Sequence, residues 1–184
     1  VIPMNVTKIE NNAFKGCTNL QHVYYMGLQS PIIGSDVFTN TKVTLIKVKH
    51  DFTETKWNEI EIKKQDKLST NEVFYFLDEE TGLFVVYGNG SMGDYYISSS
   101  PWTIAPWQEQ RKSFKHVIIE YGVTNVASAA FYYDDRYINI ENVRIGNSVK
   151  SIGYTSFRGC SLLTNIRIGN SVTSIGYTSF RECY

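Results

Sequence analysis

RIGNSVKSIGYTSFRGC, residues 144–160, is repeated almost unchanged as RIGNSVTSIGYTSFREC, residues 167–183. The two stretches differ at two positions and are offset by 23 residues. A looser copy, VTKIENNAFKGCTNLQHVYY, occupies residues 6–25. Self-similarity at a fixed short period is typical of stacked-repeat proteins, so we expect the function to lie on a repeated surface rather than in one catalytic pocket.

The copies share one apolar skeleton at identical spacing. It predicts a core made of Ile9, Phe14, Cys17, Leu20, Ile152, Phe157, Cys160, Leu163, Ile166, Ile175, Phe180 and Cys183. The L-x-x-I-x-I pattern at residues 163–168 has the form of a leucine-rich repeat. Its alternation predicts a short strand with Ile166 and Ile168 turned inward and Arg167 outward. Each coil is then one strand plus a return segment, and it buries its apolar face only by stacking on its neighbours.

Two degenerate coils extend the pattern around Phe38 and Phe131. Between the arrays, VFYFLDEETGLFVVYG predicts a hairpin with Gly82 in its turn. We interpret the polar segment around Trp57 and Ile60 as a cap that covers the last coil of the first array. We therefore expect residues 1–67 to be the end of an array with its closing cap, residues 68–112 a β-hairpin entry cap, and residues 113–184 the start of a second array that stops within a repeat. We expect this order of segments in a part of a longer protein that carries several such arrays in tandem.

These residues resemble the BspA-like family of leucine-rich repeat proteins. The family repeat V-x-x-I-G-x-x-A-F-x-x-C-x-x-L-x-x-I-x-I is matched by VKSIGYTSFRGCSLLTNIRI, and TGLFVVYGNGSMGDY is similar to the family's entry hairpin. The cysteine motif that often precedes that hairpin is missing from LSTNEVFYF. The resemblance implies a mainly β, leucine-rich-repeat solenoid of about 23-residue coils with a small β-hairpin cap module between two short arrays. It also implies a cell-surface or secreted protein that adheres to host matrix or cell-surface proteins and has no enzymatic activity.

The composition of the chain limits the classes of partner that we expect. The chain has 18 basic and 18 acidic side chains, so no charge excess favours nucleic acid or an anionic membrane. No apolar run is long enough to span a bilayer. The three histidines have no nearby nucleophile motif, so we expect no catalytic residues and no cofactor.

The three cysteines, Cys17, Cys160 and Cys183, each follow a repeat phenylalanine by three residues. A free cysteine at such a position is usually a small buried hydrophobe. Zinc needs paired ligands at short spacing, and none occur, so no metal site is expected. Cys160 and Cys183 would lie about one strand spacing apart, ~4.8 Å, which leaves open whether they are bridged.

The natural binding surface of such a stack is the outward side of its strands. We expect partner-binding residues there, namely His22, Tyr24, His116, Ile118, Glu120, Asn142, Arg144, Asn165 and Arg167. Arg144 and Arg167 should align as a short basic ladder, which is mildly unfavourable unless an anionic group faces it. The alternative is that both arginines are merely solvated. A purely structural role, with head-to-tail assembly through the outermost coils, is the second hypothesis.

Overall fold

A computed structural model of the chain describes residues 1–27, 29–48, 52–64, 68–70, 73–93, 95, 105–120, 122–132 and 138–184. The chain divides into two compact units, Val1–Asp66 and Lys67–Tyr184. Within the predicted entry cap, residues 68–112, positions 71–72, 94 and 96–104 lie outside the described residues.

The structure is mainly β. Its strands are β1 (Lys8–Ile9), β2 (Val23–Tyr25), β3 (Ile32–Ile33), β4 (Leu45–Val48), β5 (Lys56–Trp57), β6 (Ile60–Lys64), β7 (Leu68–Thr70), β8 (Val73–Asp78), β9 (Leu83–Gly88), β10 (His116–Ile119), β11 (Asn125–Val126), β12 (Asn142–Ile145), β13 (Ser151–Ile152), β14 (Asn165–Arg167) and β15 (Ser174–Ile175). A 3-10 helix spans Gln108–Ser113.

In the first unit, β2, β4 and β6 form a parallel ladder, and β5 pairs antiparallel with β6. A second, shorter ladder joins β1 to β3. The segment expected to act as a cap contributes its aromatic ring to this core, because Trp57 is buried and its ring lies 5.0 Å from that of Tyr25. Ile60 packs against the same cluster.

In the second unit, one sheet runs in the order β14-β12-β10-β9-β8-β7. β8 and β9 form an antiparallel hairpin, and Gly82 in its turn has a φ of +68°, as the turn pattern predicts. β9 then pairs parallel with β10, so the hairpin supplies the first rung of the repeat ladder. A second parallel ladder, β11-β13-β15, runs through the return segments, which the sequence pattern did not predict as strands.

The repeat phenylalanines form a continuous stack through the second unit. The ring of Phe157 lies 4.9 Å from Phe131 and 5.4 Å from Phe180, with interplanar angles of 10° and 4°. Phe14 and Phe38 stack in the same way in the first unit, 5.5 Å apart. Parallel coils with one residue pattern place equal side chains above one another, so the core is a column of like rings.

Burial of the predicted core residues depends on their coil. Ile9, Ile152, Phe157 and Cys160 are buried, while Phe14, Leu20, Leu163, Phe180 and Cys183 are partly buried against the two cores.

Three of the core predictions are wrong. Cys17 is exposed, Ile166 is 38% exposed and Ile175 is 53% exposed. Ile166 and Ile175 are exposed because β14 and β15 are edge strands, each paired on one side only, so their inward-pointing side chains have a neighbouring coil on one face alone. Cys17 lies outside the strands, in a loop of the coil that begins with β1.

Candidate functional site

Six of the nine predicted binding residues lie together on the outward positions of three adjacent strands. The register pairs His116 with Asn142 and Asn142 with Asn165, and it pairs Ile118 with Arg144 and Arg144 with Arg167. The inward residues between them, Val117 and Val143, are buried. We call this set, His116, Ile118, Asn142, Arg144, Asn165 and Arg167, the strand face.

The first row of the strand face is linked by side-chain hydrogen bonds. Asn165 Nδ2 donates to Asn142 Oδ1 over 3.1 Å, and Asn142 Nδ2 lies 3.1 Å from His116 Nδ1. Because the Asn142 oxygen already accepts, its amide donates to His116, whose Nδ1 then acts as an acceptor. The row is therefore ordered before any partner arrives, which lowers the entropy lost on binding.

The second row contains two arginines with different surroundings. Arg144 contacts Glu120 at 3.4 Å between Nη2 and Oε1. The position in the next strand that corresponds to Glu120 is Gly146, so Arg167 has no carboxylate at the equivalent place. Arg167 is exposed and lies beside Arg144 in the ladder. Among the described residues no carboxylate pairs with Arg167, so the row presents an uncompensated cation at its Arg167 end.

Glu120 and Tyr24 do not belong to an exposed surface, and for these two residues the sequence prediction is wrong. Each is 4% exposed. Glu120 is a buried partner of Arg144, and Tyr24 lies beside its register neighbour Lys47, whose Nζ is 5.5 Å from the Tyr24 ring centroid. His22, also in the first unit, is half-buried.

The sequence analysis missed a second exposed feature. Tyr154 and Tyr177 stack with their centroids 5.9 Å apart and their planes 13° apart, and they are 48% and 74% exposed. They follow β13 and β15 on the return side of the coils. The available signal was that a large aromatic residue stands at the same non-skeleton position of both near-identical copies.

Side chains that could hold a metal ion are not clustered in the described part of the chain. No three His, Cys, Asp or Glu residues there lie close enough to share an ion. In the same ranges, no helix has the length and apolar character needed to span a bilayer.

A family model agrees with the repeat architecture. The BspA type leucine-rich repeat region matches residues 1–75 and 107–184 in six copies. A leucine-rich repeat protein from Eubacterium ventriosum, solved by crystallography, is 23% identical with a TM-score of 0.47, over 58% of this chain and 26% of that one. This chain therefore spans about a quarter of that structure. No curated protein matches this chain.

Repeats of this type are protein-interaction modules, typically non-enzymatic and typically found in surface or secreted bacterial proteins. The parallel coils, the phenylalanine column and the match over most of the sequence lead to one conclusion. The chain belongs to the BspA type leucine-rich repeat family.

Proposed function

We propose that the chain is a non-catalytic recognition module that binds a host matrix or cell-surface protein through the strand face, at the cell surface or after secretion. The register-aligned rows on β10, β12 and β14 carry this proposal, since Arg144, Asn165 and Arg167 are exposed and His116, Ile118 and Asn142 are half-buried beside them. The backbones of β10 and β12 are paired on both sides, so this part of the strand face loses little freedom on binding, and its side chains are spaced at the strand repeat.

The charge of the strand face favours an acidic region of the partner. Arg167 has no carboxylate at the position equivalent to Glu120, and the neighbouring guanidinium of Arg144 is only partly compensated by Glu120. A partner carboxylate between the two arginines would relieve their repulsion and form charge-assisted hydrogen bonds.

Arg167→Glu reverses the charge of the exposed arginine on β14. We expect it to weaken binding to the recognised matrix protein about tenfold or more, because the charge that faces the partner's acidic group is reversed. Surface plasmon resonance against immobilised matrix proteins measures the effect. Lys150→Glu is the matched control, since Lys150 is exposed on a return segment away from the strand face. Arg144 is a less suitable target, because its removal would leave the buried Glu120 without its partner. Equal affinities for wild type and Arg167→Glu would contradict the proposed surface.

A second candidate function, head-to-tail assembly of copies of this chain, is favoured by the exposed apolar side chains of the last coil. Ile168 is 38% exposed and Tyr177 is 74% exposed. Residues 1–17 repeat the pattern of residues 167–183, and Ile2 already forms a parallel bridge with Tyr25 at the edge of β2. A coil from a second copy could continue the ladder, with Ile175 beside the partner's Ile9 and Phe180 beside the partner's Phe14.

The assembly hypothesis makes its own prediction. If it holds, light scattering of the purified chain should show a mass that rises with concentration, and Ile175→Glu should return the chain to a monomer because it places a charge in the coil contact. Ile32→Glu is the control, since Ile32 is an exposed isoleucine at a non-skeleton position of the first unit. A monomer at all concentrations would contradict assembly and leave the recognition proposal unaffected.

A further inference from the structure

Cys160 and Cys183 occupy the same position in two adjacent coils. The ladder pairs Ser151 with Ser174 and Ile152 with Ile175. The parallel pattern continues beyond these strands, because the backbone amide of Gly159 donates to the carbonyl of Arg181 over 2.8 Å. One residue further along, Cys160 lies beside Cys183.

This pairing brings two free thiols within reach of each other. Both cysteines are unbridged, and their side chains are hydrogen-bond partners. Paired Cα atoms in neighbouring strands are ~4.8 Å apart, inside the range of roughly 4.4–6.8 Å that disulfides span. Disulfide Cβ atoms lie roughly 3.5–4.5 Å apart, so closing the bond needs only a small approach of the last coil.

The two thiols differ in access and in acidity. Cys160 is fully buried, whereas Cys183 is partly exposed and its Sγ lies 3.1 Å from the carbonyl oxygen of Phe157. The hydrogen bond with Cys183, together with burial, raises the pKa of Cys160. The hydrogen bond with Cys160 lowers the pKa of Cys183, although partial burial of that thiol acts in the opposite direction. The thiolate is the attacking species in exchange, so Cys183 is the sulfur that reacts first.

We propose that Cys160 and Cys183 are a redox site that forms a disulfide between the two coils by exchange with a low-molecular-weight disulfide such as oxidised glutathione. The Cys183 thiolate attacks one glutathione sulfur, the other glutathione leaves as a thiolate and takes up a proton, and a mixed disulfide remains. Cys160 then loses its proton and attacks Cys183 Sγ, which expels the second glutathione. In sum, two cysteine thiols are oxidised to one disulfide, and one glutathione disulfide is reduced to two thiols.

The bond would attach the last coil covalently to the one before it. That coil carries Phe180, whose ring lies over Phe157, and it follows the strand β14 that presents Arg167. An edge coil supported on one side is the region where local opening is least costly, so a cross-link there has its largest effect on order. Oxidation would thereby stabilise the Arg167 end of the strand face.

The test uses Cys17→Ser, which removes the exposed third thiol and leaves the pair. The folded protein is incubated with oxidised glutathione, its thiols are titrated, and it is digested with trypsin without reduction. We expect both thiols to disappear, each chain to stay free of bound glutathione and of covalent links to other chains, and a linked peptide of residues 159–167 and 182–184. Hydrogen exchange of the amides in residues 174–183 should slow about tenfold or more, and dithiothreitol should reverse it.

Two double variants check the order of attack without relying on the closed bond. Cys17→Ser with Cys160→Ser should stop at a mixed disulfide on Cys183. Cys17→Ser with Cys183→Ser should leave the buried Cys160 unreactive in the folded chain. The proposal is overturned if both thiols of Cys17→Ser stay titratable, if glutathione stays bound to Cys183 when Cys160 is present, or if the disulfide joins two chains.

Discussion

Phe157→Ala should lower the free energy of unfolding of the second unit by about 3–5 kcal/mol, the range observed when a buried phenylalanine is truncated. Phe157 is fully buried, and its ring is the middle member of the column between Phe131 and Phe180. Its removal leaves a cavity and also takes one stacking partner from each neighbouring ring. Because coils are stabilised chiefly by their nearest neighbours, the loss should separate the last coil from the rest of the unit.

Phe180→Ala is the matched control for this prediction. Phe180 belongs to the same column, but it is only partly buried and its coil is paired on one side. We expect it to cost about 1–2 kcal/mol, since less apolar area leaves water when it folds. Urea denaturation followed by circular dichroism measures both variants. Equal losses for the two, or a loss below about 1 kcal/mol for Phe157→Ala, would show that the ring column does not stabilise the stack as described.

Gly153→Ala is expected to destabilise the second unit by about 2–3 kcal/mol, because an added methyl group has no free space there. A Cβ on Gly153 would lie 2.5 Å from the backbone nitrogen of Ser128 and 2.8 Å from the carbonyl carbon of Ala127. These are main-chain atoms of the preceding coil and cannot rotate away. The hydrogen bond from Gly153 N to the carbonyl of Val126, now 2.9 Å, would lengthen as the coils separate. The same close approach recurs at Gly176, 23 residues later.

Gly159→Ala separates this packing effect from backbone conformation. Gly159 lies in the same coil with a φ of +78°, but nothing lies within 4 Å of an added Cβ. Its cost should be about 1–2 kcal/mol, from the left-handed conformation alone. Thermal melting of both variants ranks them. A Gly159→Ala variant less stable than Gly153→Ala would mean that coil-to-coil contact does not set the requirement for glycine at position 153.

The repeat pattern predicted much of this structure correctly because the pattern and the fold share a period. Residues at equal positions in successive copies lie beside one another, so the alignment of Asn142 with Asn165 and of Arg144 with Arg167 follows from the 23-residue offset alone. Inward burial of Ile152 and Phe157 follows from the same skeleton. The turn at Gly82 was predicted from local turn chemistry, which needs no long-range information.

The sequence by itself therefore determined the family, the β-rich coil and the register that assembles the strand face. Only the tertiary structure decided how far each residue is exposed. Exposure depends on which coils have a neighbour on both sides, and on which side chains of adjacent coils pair with each other. Those pairs bury Glu120 beneath Arg144, while the edge positions leave Ile166 and Ile175 exposed. A period states which residues are equivalent, but equivalent residues differ in energy when the stack covers one and not the other.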